Sequence, residues 1–487
     1  MHATHLSTPG DTSRAHFPLP HNALKHRLHN AAERFFLLLA FSFVLFLPAC
    51  ATLPDVQYLN TSLSPNLTPT VTTAHGTLSA KKTSALLAKR WLKAPIDINA
   101  LATLEEAATG TPLIAGNKVV LLFDGPQTIL SMIDAITQAH DHINLETYIF
   151  DQDPLGQRFS DLLIAKQKEG VQVRIIYDSV GTIGTPATFF DRMRDAGIQL
   201  VAFNPINPFA RVGRWRINNR DHRKILIVDG KVAFAGGVNI SNTYSNGSLF
   251  RSGKKNEDKI GWRDTHLKIE GPAVASFQWI FLDTWLKQSK EDLADRNLFP
   301  QLTPTGDEIV RVLASEPKGD YAIYKAYILA IQQAQKSIHI TSAYFVPDSQ
   351  SIDALCKAAQ RGVDVQIILP GVSDSSLVIH AGRSFYTQLL ESGVKLFELQ
   401  ISVLHAKTAV IDGVWSTVGS TNIDTRSFMH NNEINLIVLG EPFGQEMENA
   451  FKEDLRDSKQ IDIEQWVKRP NIDRIKEWFA RSMGYWL

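Results

Sequence analysis

Apolar and polar residues follow two periods along this chain, and the two periods recur in the same order twice. Apolar runs rich in β-branched residues, at 143–151, 171–178 and 225–228, predict buried strands. Longer amphipathic segments that end in glycine, at Gly170 in one half and Gly362 in the other, predict helices. Strands that alternate with helices predict βαβ units, a largely parallel sheet and an α/β fold.

The pattern recurs because the chain contains an internal duplication. Residues 224–241 (KILIVDGKVAFAGGVNIS) align without a gap with residues 407–424 (KTAVIDGVWSTVGSTNID), 183 residues later. In each copy an Asp-Gly pair predicts a tight turn between two short strands. The similarity extends upstream, where 143–151 resembles 338–348 and 171–178 resembles 363–370. A solenoid requires at least three repeats of about 20 to 50 residues, whereas this chain has two much longer copies. We therefore predict two similar lobes related by a pseudo-twofold axis.

These patterns divide the chain into five predicted segments. The first two are a targeting segment and a flexible tether rich in Thr, Ser, Leu and Pro, at residues 1–50 and 51–94. The others are a first lobe, a polar linker that contains prolines, and a second lobe, at residues 95–290, 291–306 and 307–487.

The N-terminal segment contains an apolar run at residues 35–49 that follows several basic residues and precedes Cys50. The run is shorter than the ~20 residues of a membrane span and fits the apolar region of a secretory signal. Residues 47–50 (LPAC) resemble a bacterial lipoprotein signal, in which the cysteine is lipidated. We therefore predict a lipid-anchored protein of the bacterial cell envelope that faces the periplasm. The alternative is a single uncleaved N-terminal anchor, and both hypotheses place the protein at a membrane surface.

Composition narrows the classes of function. The chain is 44% apolar and 21% charged, as folded globular proteins are, and its 50 basic and 50 acidic residues cancel. Nucleic-acid-binding proteins usually carry a basic excess, so no nucleic-acid partner is expected. Cys50 and Cys356 are the two cysteines of the sequence, too few for a zinc cluster or a disulfide framework.

Each copy carries an H-x-K-x4-D motif followed by G-x-x-N at the same offset. The matched residues are His222, Lys224, Asp229 and Asn239 in the first copy, and His405, Lys407, Asp412 and Asn422 in the second. Residues two apart on a strand point to the same face, so the histidine and lysine of each motif face one pocket. One copy would be a weak signal, whereas two matched copies are a strong one.

Joining the two lobes would place two histidines and two lysines around one tetrahedral anion. One histidine can attack phosphorus while the other protonates the leaving alcohol, and a covalent intermediate lets a second alcohol replace water. The lysines, with the two asparagines as neutral donors, would stabilise the phosphoryl oxygens without a metal. The spacing therefore predicts phosphodiester chemistry.

The paired motifs resemble those of the phospholipase D superfamily, and within it those of bacterial cardiolipin synthases. The resemblance covers residue 121 to the C-terminus and rests on 146–156 (ETYIFDQDPLG), 222–241, 262–272 (WRDTHLKIEGP), 343–348 (AYFVPD), 361–374, 403–413 and 418–436. It implies two α/β/α sandwich lobes with one active site at the pseudo-twofold interface. It also implies a phosphohistidine intermediate and no cofactor or required metal. By the same resemblance His222 is the nucleophile and His405 the general acid.

The remaining site residues are predicted to support this chemistry. The catalytic set predicted from the two motifs is His222, Lys224, Asp229, His405, Lys407 and Asp412. Within it, Asp229 and Asp412 are expected to be supporting residues, since a carboxylate would repel a phosphate anion. Glu433 and, by analogy, Asp264 are expected to orient the opposite histidines, as the carboxylate of a triad does. The positions that follow the motif glycines, together with the motif asparagines, complete the phosphate-binding or supporting set, which is Gly237, Ser420, Asn239 and Asn422.

The predicted function is transfer of a phosphatidyl group between phospholipids, with phosphatidylglycerol, or phosphatidylglycerol and phosphatidylethanolamine, as substrates. The first alternative is phospholipase D-type hydrolysis to phosphatidic acid. A phosphodiesterase or nuclease is a further alternative, against which the zero net charge and the membrane signal count. A non-catalytic membrane module is the last, against which the two complete motifs count. Several members of the family begin with two membrane helices, whereas this chain has one short apolar segment.

Two weaker features lie near or between the motifs. Residues 211–224 (RVGRWRINNRDHRK) are strongly basic and could engage anionic headgroups, although they could equally form a solvated loop. Residues 275–287 are apolar with a helical period, and this pattern predicts that Trp279 and Trp285 lie in the core.

Overall fold

The structure is a computed structural model, which describes residues 52–56, 59, 68–91, 94, 96–207, 218–245, 261–289, 291, 293 and 297–484. The predicted targeting segment with Cys50, and residues 211–217 of the basic stretch 211–224, lie outside these residues. Residues 53–487 cluster as a single unit. Within the described ranges, no helix combines the length and the apolarity that crossing a bilayer requires.

The strands and helices alternate as the sequence predicts. The strands are β1 Val71–Thr73, β2 Gly76–Thr77, β3 Leu113–Leu122, β4 His142–Thr147, β5 Gln172–Asp178, β6 Gln199–Phe203, β7 Arg220–Asp221, β8 Ile225–Val228, β9 Val232–Gly236, β10 Trp262–Arg263, β11 His266–Glu270, β12 Glu308–Ser315, β13 Ser337–Ser342, β14 Phe345–Val346, β15 Asp364–Pro370, β16 Lys395–Leu399, β17 Val403–Leu404, β18 Lys407–Ile411, β19 Trp415–Gly419, β20 Ile423–Asp424, β21 Asn431–Leu439 and β22 Ser458–Gln460. The helices are α1 Ala80–Arg90, α2 Ile98–Thr109, α3 Gly125–Thr137, α4 Pro154–Lys168, α5 Ala187–Asp195, α6 Val274–Gln288, α7 Ala322–Gln333, α8 Ser349–Gln360, α9 Ser376–Arg383, α10 Tyr386–Glu391, α11 Thr425–Met429, α12 Glu441–Arg456, α13 Ile463–Trp466 and α14 Asn471–Ser482, with one 3-10 turn at Asn242–Tyr244.

The duplication reappears as two sheets with the same strand order. The first runs β6-β5-β4-β8-β9-β11-β3 and the second β16-β15-β13-β18-β19-β21-β12. The equivalent edge strands β3 and β12 pair with each other in antiparallel orientation and join the two sheets. The pseudo-twofold axis predicted from the sequence therefore passes between these two strands.

The prediction of a largely parallel sheet is only half right. In each half three strands run parallel, β4, β5 and β6 in one and β13, β15 and β16 in the other. The motif strands β8 and β9, like β18 and β19, are joined by the predicted Asp-Gly turn and are therefore antiparallel. Only the strands that helices connect can run parallel, because a tight turn reverses the chain direction.

Helices cover both faces of the sheets, which gives the predicted α/β/α layers. Several helices begin at an aspartate that accepts a backbone N–H; Asp124, Asp153 and Asp348 cap α3, α4 and α8 in this way. Each half has its own apolar core, and a third core between the sheets and helices α6 and α12 is shared by both halves. Trp285 lies in this shared core as predicted, but Trp279 is 63% exposed, because α6 buries only one face.

The N-terminal boundaries differ from the predicted ones. The predicted flexible tether at residues 51–94 is wrong for residues 71–90. In this range β1 pairs with β3, and the helix α1 follows. Val71, Leu87 and Leu101 are buried in the core of the second half, not the first. Glu105 of α2 accepts a hydrogen bond from Trp415 Nε1 at 2.7 Å and pairs with Arg311. Residues 71–109 therefore pack with the second lobe, and their irregular sequence pattern conceals this because their apolar partners are distant in the sequence.

Candidate active site

Two short parallel ladders cross between the halves and fix the position of each motif histidine. β7 pairs with the start of β21, and β10 pairs with β17. Directly after each ladder, His222 N donates to Asn432 O at 3.0 Å and His405 N donates to Arg263 O at 2.8 Å. Each ladder joins a motif of one half to the opposite half, so neither half can build the site alone.

Each histidine meets a carboxylate of the opposite half. His222 Nδ1 lies 3.0 and 3.2 Å from the two carboxylate oxygens of Glu433, and His405 Nδ1 lies 2.7 Å from Asp264 Oδ2. All four residues are buried. A carboxylate that accepts from Nδ1–H holds the ring and leaves Nε2 as the free nitrogen. The structure thus brings together the two pairs that the sequence predicts.

The two carboxylates occupy equivalent positions in the duplicated sheets. His266 lies opposite Gly236 in the β9–β11 ladder, and Asn435 lies opposite Gly419 in the β19–β21 ladder. In each case the acid stands two residues before the residue that faces the motif glycine. The analogy between Asp264 and Glu433 therefore follows from strand register, although one is an aspartate and the other a glutamate.

Both motif lysines are buried next to these pairs. Lys224 and Lys407 are 1% and 2% exposed, and each amine donates to the backbone oxygen of its own motif histidine. Burial, together with the charge of Lys407, lowers the pKa of Lys224 to about 7, and burial lowers that of Lys407 to about 8. Burial and mutual repulsion oppose protonation of both amines at once. An anion bound between them would favour the protonated form of both.

The two histidine–carboxylate pairs differ in proton affinity. Burial, followed by the charge of Lys224, lowers the pKa of His222 to about 4; burial and then Lys407 hold the pKa of His405 well below its ordinary value. Burial opposes ionisation of Glu433, but contacts with His222 and Lys224 hold its pKa below the ordinary value. Burial raises the pKa of Asp264 to about 6, against the influence of Lys407. The pKa shifts of the two carboxylates therefore run in opposite directions, whereas both histidines have lowered pKa values.

Gly237 and Ser420 occupy equivalent positions against these carboxylates. A Cβ atom at Gly237 would lie 2.0 Å from Asp264 Oδ1, so only glycine leaves room for the carboxylate. Ser420 Oγ instead donates a hydrogen bond to Glu433. The structure places both residues beside the acids, which fits the supporting part of their predicted role.

The two motif asparagines are buried but have different surroundings. Asn239 accepts from Ile149 N at 3.1 Å and donates to Tyr244 Oη at 2.9 Å. The Tyr244 hydroxyl lies 3.3 Å from His405 Nδ1, which links Asn239 to the second histidine. Asn422 Oδ1 has no hydrogen-bond partner among the described residues.

The motif aspartates lie at the other end of the motif strands. Asp229 accepts from the backbone N–H groups of residues 140–142, and Asp412 accepts from those of residues 335–337. Five residues of extended chain, at ~3.3 Å each, separate Asp229 from Lys224. Including the two aspartates with the catalytic histidines and lysines was therefore wrong. They hold the starts of β4 and β13, in agreement with a supporting role.

Replacing Asp412 by Ala should lower the stability of the fold and leave the catalytic rate nearly unchanged. The change leaves three backbone donors without their acceptor and puts alanine at φ 54°, a strained conformation. We expect the free energy of unfolding to fall by about 2 to 4 kcal/mol in urea denaturation, and kcat per folded molecule to stay within about threefold. Asp353→Ala, on the exposed side of α8, is the control. A hundredfold loss of kcat at unchanged stability would contradict this role.

Four aromatic residues around the histidines were not predicted as site residues. The rings of Tyr148 and His222 lie 5.1 Å apart, and the Lys224 amine lies 5.2 Å from the Tyr148 centroid. Around His405, the rings of Trp262, Tyr244 and Tyr344 lie at 4.9, 5.8 and 6.4 Å. Three of the four lie within the segments 146–156, 262–272 and 343–348 on which the family resemblance rests. Their position in these segments could have identified the three residues as site residues from the sequence. Tyr244 lies outside the segments, and no sequence feature pointed to it.

The surroundings of the two motifs break the twofold symmetry. Beside His222, the buried residues Glu146, Asp221 and Arg223 form a charged cluster, in which Arg223 Nη1 lies 3.8 Å from Glu146 Oε1. Burial raises the pKa of Asp221 to about 6 and that of Glu146 well above its ordinary value. In the second copy the equivalent positions hold Thr341, Leu404 and Ala406. At these three positions the first copy therefore has ionisable side chains and the second has neutral ones.

The fold and the crossed pairs define a two-lobed protein of the phospholipase D type. A family model described as "Cardiolipin synthase, PLD-like domain" matches residues 132–249 and 327–455, one segment in each half. The chain belongs to this family.

Similar proteins agree with this assignment. The cardiolipin synthase of Alkalihalophilus pseudofirmus is 37% identical over 378 residues, which cover 77% of this chain and 73% of that protein. The cardiolipin synthase of Geobacillus kaustophilus is 36% identical over 377 residues, with the same coverage. The crystal structure of phosphatidylserine synthase from Haemophilus influenzae Rd KW20 matches 79% of this chain and 99% of that one, with a TM-score of 0.61 at 14% identity. That last similarity concerns the fold alone.

Proposed function

We propose that this protein is a cardiolipin synthase-like phosphatidyltransferase that works through a covalent phosphohistidine. The observation that carries the proposal is the pair of histidine–carboxylate contacts, one from each half, beside two buried lysines. Such a set offers a nucleophile, an acid and two cations to a single phosphodiester. The relatives named cardiolipin synthases support a phospholipid substrate.

In the first half-reaction His222 Nε2 attacks phosphorus. Glu433 holds the Nδ1–H of this ring and stabilises the positive charge that develops on it. The bond from phosphorus to the leaving glycerol oxygen breaks, and that oxygen takes a proton from His405 Nε2. The products are phosphatidyl-His222 and a free alcohol, with both lysines available to the phosphoryl oxygens.

In the second half-reaction the roles reverse. His405 Nε2 takes the proton of an incoming lipid alcohol, whose oxygen attacks phosphorus, and the bond to His222 breaks. The phosphatidyl group then joins the second lipid and both histidines return to their starting state. The hydroxyl of phosphatidylglycerol is the acceptor we propose, and phosphatidylglycerol or phosphatidylethanolamine the donor.

The assignment of the two histidines is supported by their different partners. A nucleophile must be neutral, and His222 has its pKa lowered to about 4 beside a carboxylate whose own pKa is lowered. The role of general acid is assigned to His405 from the family resemblance, because burial lowers the pKa of this histidine as well. Its partner Asp264, whose pKa is raised to about 6, would orient the ring. We therefore propose His222 as the nucleophile and His405 as the general acid and base.

The lysine pKa values predict how activity depends on pH. The ratio kcat/KM reports the free enzyme, in which Lys224 loses its proton near pH 7 and Lys407 near pH 8. Both amines must be charged to bind the phosphate, so we expect kcat/KM to fall at least about tenfold between pH 7 and pH 9. The value of kcat should fall less, because a bound anion raises both pKa values. A kcat/KM that rises up to pH 9 would be inconsistent with phosphate binding by these lysines.

The membrane location is also a proposal. The apolar run at 35–49 and Cys50 support a lipid-anchored protein of the bacterial cell envelope that faces the periplasm, with an uncleaved anchor as the alternative. Either arrangement holds the enzyme near phospholipids of one leaflet.

Lipid mass spectrometry tests the proposed activity. Purified full-length protein is incubated with vesicles of phosphatidylglycerol, with and without phosphatidylethanolamine, and His222→Ala serves as the blank. Cardiolipin as the main product supports the transferase, and its dependence on each lipid identifies the donor. Phosphatidic acid without cardiolipin would instead indicate a hydrolase that uses the same residues with water as acceptor.

A further inference from the structure

The helix α14 presents an apolar face to solvent. Ile472, Ile475, Trp478 and Phe479 are between 55% and 71% exposed. Their spacing of three, six and seven residues puts them on one side of a helix with 3.6 residues per turn. Single exposed apolar residues are ordinary, whereas four on one face, two of them aromatic, mark an interaction surface.

This face is held outward by contacts on the opposite side of the helix. Glu477 is buried and paired with Arg469 at 2.8 to 3.2 Å. Ala480 lies in the core of the second half, and the Arg481 guanidinium stacks over the Phe385 ring at 4.5 Å. The helix therefore has a fixed rotation, and turning the apolar face inward would break a buried ion pair.

Basic residues border the apolar face. At about 100° per residue, Arg474 lies along one side of it and Lys476, which pairs with Asp473 at 3.3 Å, along the other. Both residues are exposed. An apolar stripe with tryptophan, flanked by cations, is typical of a helix that lies in the interface of an anionic bilayer. A protein surface that only buries apolar area would not need these flanking cations.

The helix lies at the same edge of the second sheet as the candidate site. It packs on α9, which follows the carboxyl end of β15. Between β15 and α9, Asp374 accepts a hydrogen bond from Tyr344 Oη at 2.8 to 2.9 Å, and the Tyr344 ring lies 6.4 Å from that of His405. A short series of contacts thus joins the apolar helix to the second catalytic histidine.

We propose that α14 docks the protein onto an anionic phospholipid surface, with Ile475, Trp478 and Phe479 inserted at the boundary of headgroups and acyl chains. Docking at this edge holds the second-lobe side of the site against the lipid, so a phospholipid reaches His405 without leaving the bilayer surface. The docking stands on the helix alone, whereas the delivery of substrate rests on the proposed function.

A fluorescent label on the helix tests the docking in the full-length chain. Phe479→Cys is made in a Cys50→Ser, Cys356→Ala background and labelled with nitrobenzoxadiazole, and Trp279→Cys, on α6, is the matched exposed control. With phosphatidylglycerol vesicles we expect a blue shift and quenching by spin-labelled lipids at position 479 and neither at position 279. This readout requires no turnover and does not depend on how the N-terminal segment is attached.

Two further outcomes decide the occupant of this face. A label at position 479 that is shifted without vesicles and not quenched by spin-labelled lipid would assign the face to a second copy of the chain and overturn the proposal. A label that remains in water would overturn it as well.

Ile475→Glu/Phe479→Glu should reduce turnover on vesicles at least about tenfold and leave turnover of monomeric short-chain phosphatidylglycerol within about twofold. Loss on both substrates would place the defect in the site and not in docking.

Discussion

We expect His222→Ala and His405→Ala each to reduce phosphatidyl transfer by at least about a thousandfold, since one removes the proposed nucleophile and the other the proposed general acid and base. The measurement is cardiolipin formation from phosphatidylglycerol vesicles, followed by mass spectrometry. Both residues lie in buried hydrogen-bonded pairs, so thermal unfolding must show that the variants remain folded.

His339→Ala is the matched control for this pair. His339 also faces a carboxylate, that of Glu448, with Nδ1 to oxygen distances of 2.9 and 3.0 Å, but it is held between β13 and α12 with its ring stacked on Phe451. Losing a histidine–carboxylate pair as such should cost stability, whereas losing one at the site should cost turnover. Substantial activity in both site variants would overturn the shared site.

A good leaving group separates the two histidines. When the alcohol is replaced by p-nitrophenol, the departing oxygen needs no proton, so the general acid becomes dispensable in the first half-reaction. His405→Ala should then release p-nitrophenolate in a burst and retain the lipid on His222, whereas His222→Ala should release none. The opposite result would exchange the two roles.

We expect Lys224→Met to reduce kcat/KM by at least about a hundredfold, the scale for losing one preorganised donor to a developing charge. The lysine is buried, and the unbranched methionine side chain fills much of the space without a charge. Because burial lowers its pKa to about 7, removing the amine also relieves a desolvation cost, so the variant should unfold at an equal or higher temperature than the parent.

Lys166→Met supplies the comparison for a buried lysine outside the site. Lys166 is 8% exposed and its amine bonds to Ala139 O and Glu169. Its replacement should leave kcat/KM within about threefold and reduce stability, because two acceptors lose their donor. If both variants lose activity equally, the effect of Lys224 would be structural.

The sequence alone predicted those structural features that depend on contacts between residues close together in the chain. Two residues on a strand share a face, so His222 and Lys224 could be assigned to one pocket without a structure. The Asp-Gly turns fixed the hairpins of the motifs, and the repeat of 183 residues implied equivalent strand orders. The pairing of Glu433 with the opposite histidine came from the family resemblance.

Tertiary structure decided what depends on distant partners. The antiparallel motif strands made the sheet mixed, and residues 71–109 joined the second lobe because the apolar side chains of β1 and α2 are buried in its core. Asp229 proved to hold the start of β4, a contact 87 to 89 residues away, and Tyr244 reached His405 across 161 residues. The period of an amphipathic helix shows that it has a buried face, but not how wide that face is, so Trp279 was misplaced. Periodicity records the environment of neighbouring residues, whereas the partner of a side chain is set by packing between segments that the sequence does not connect.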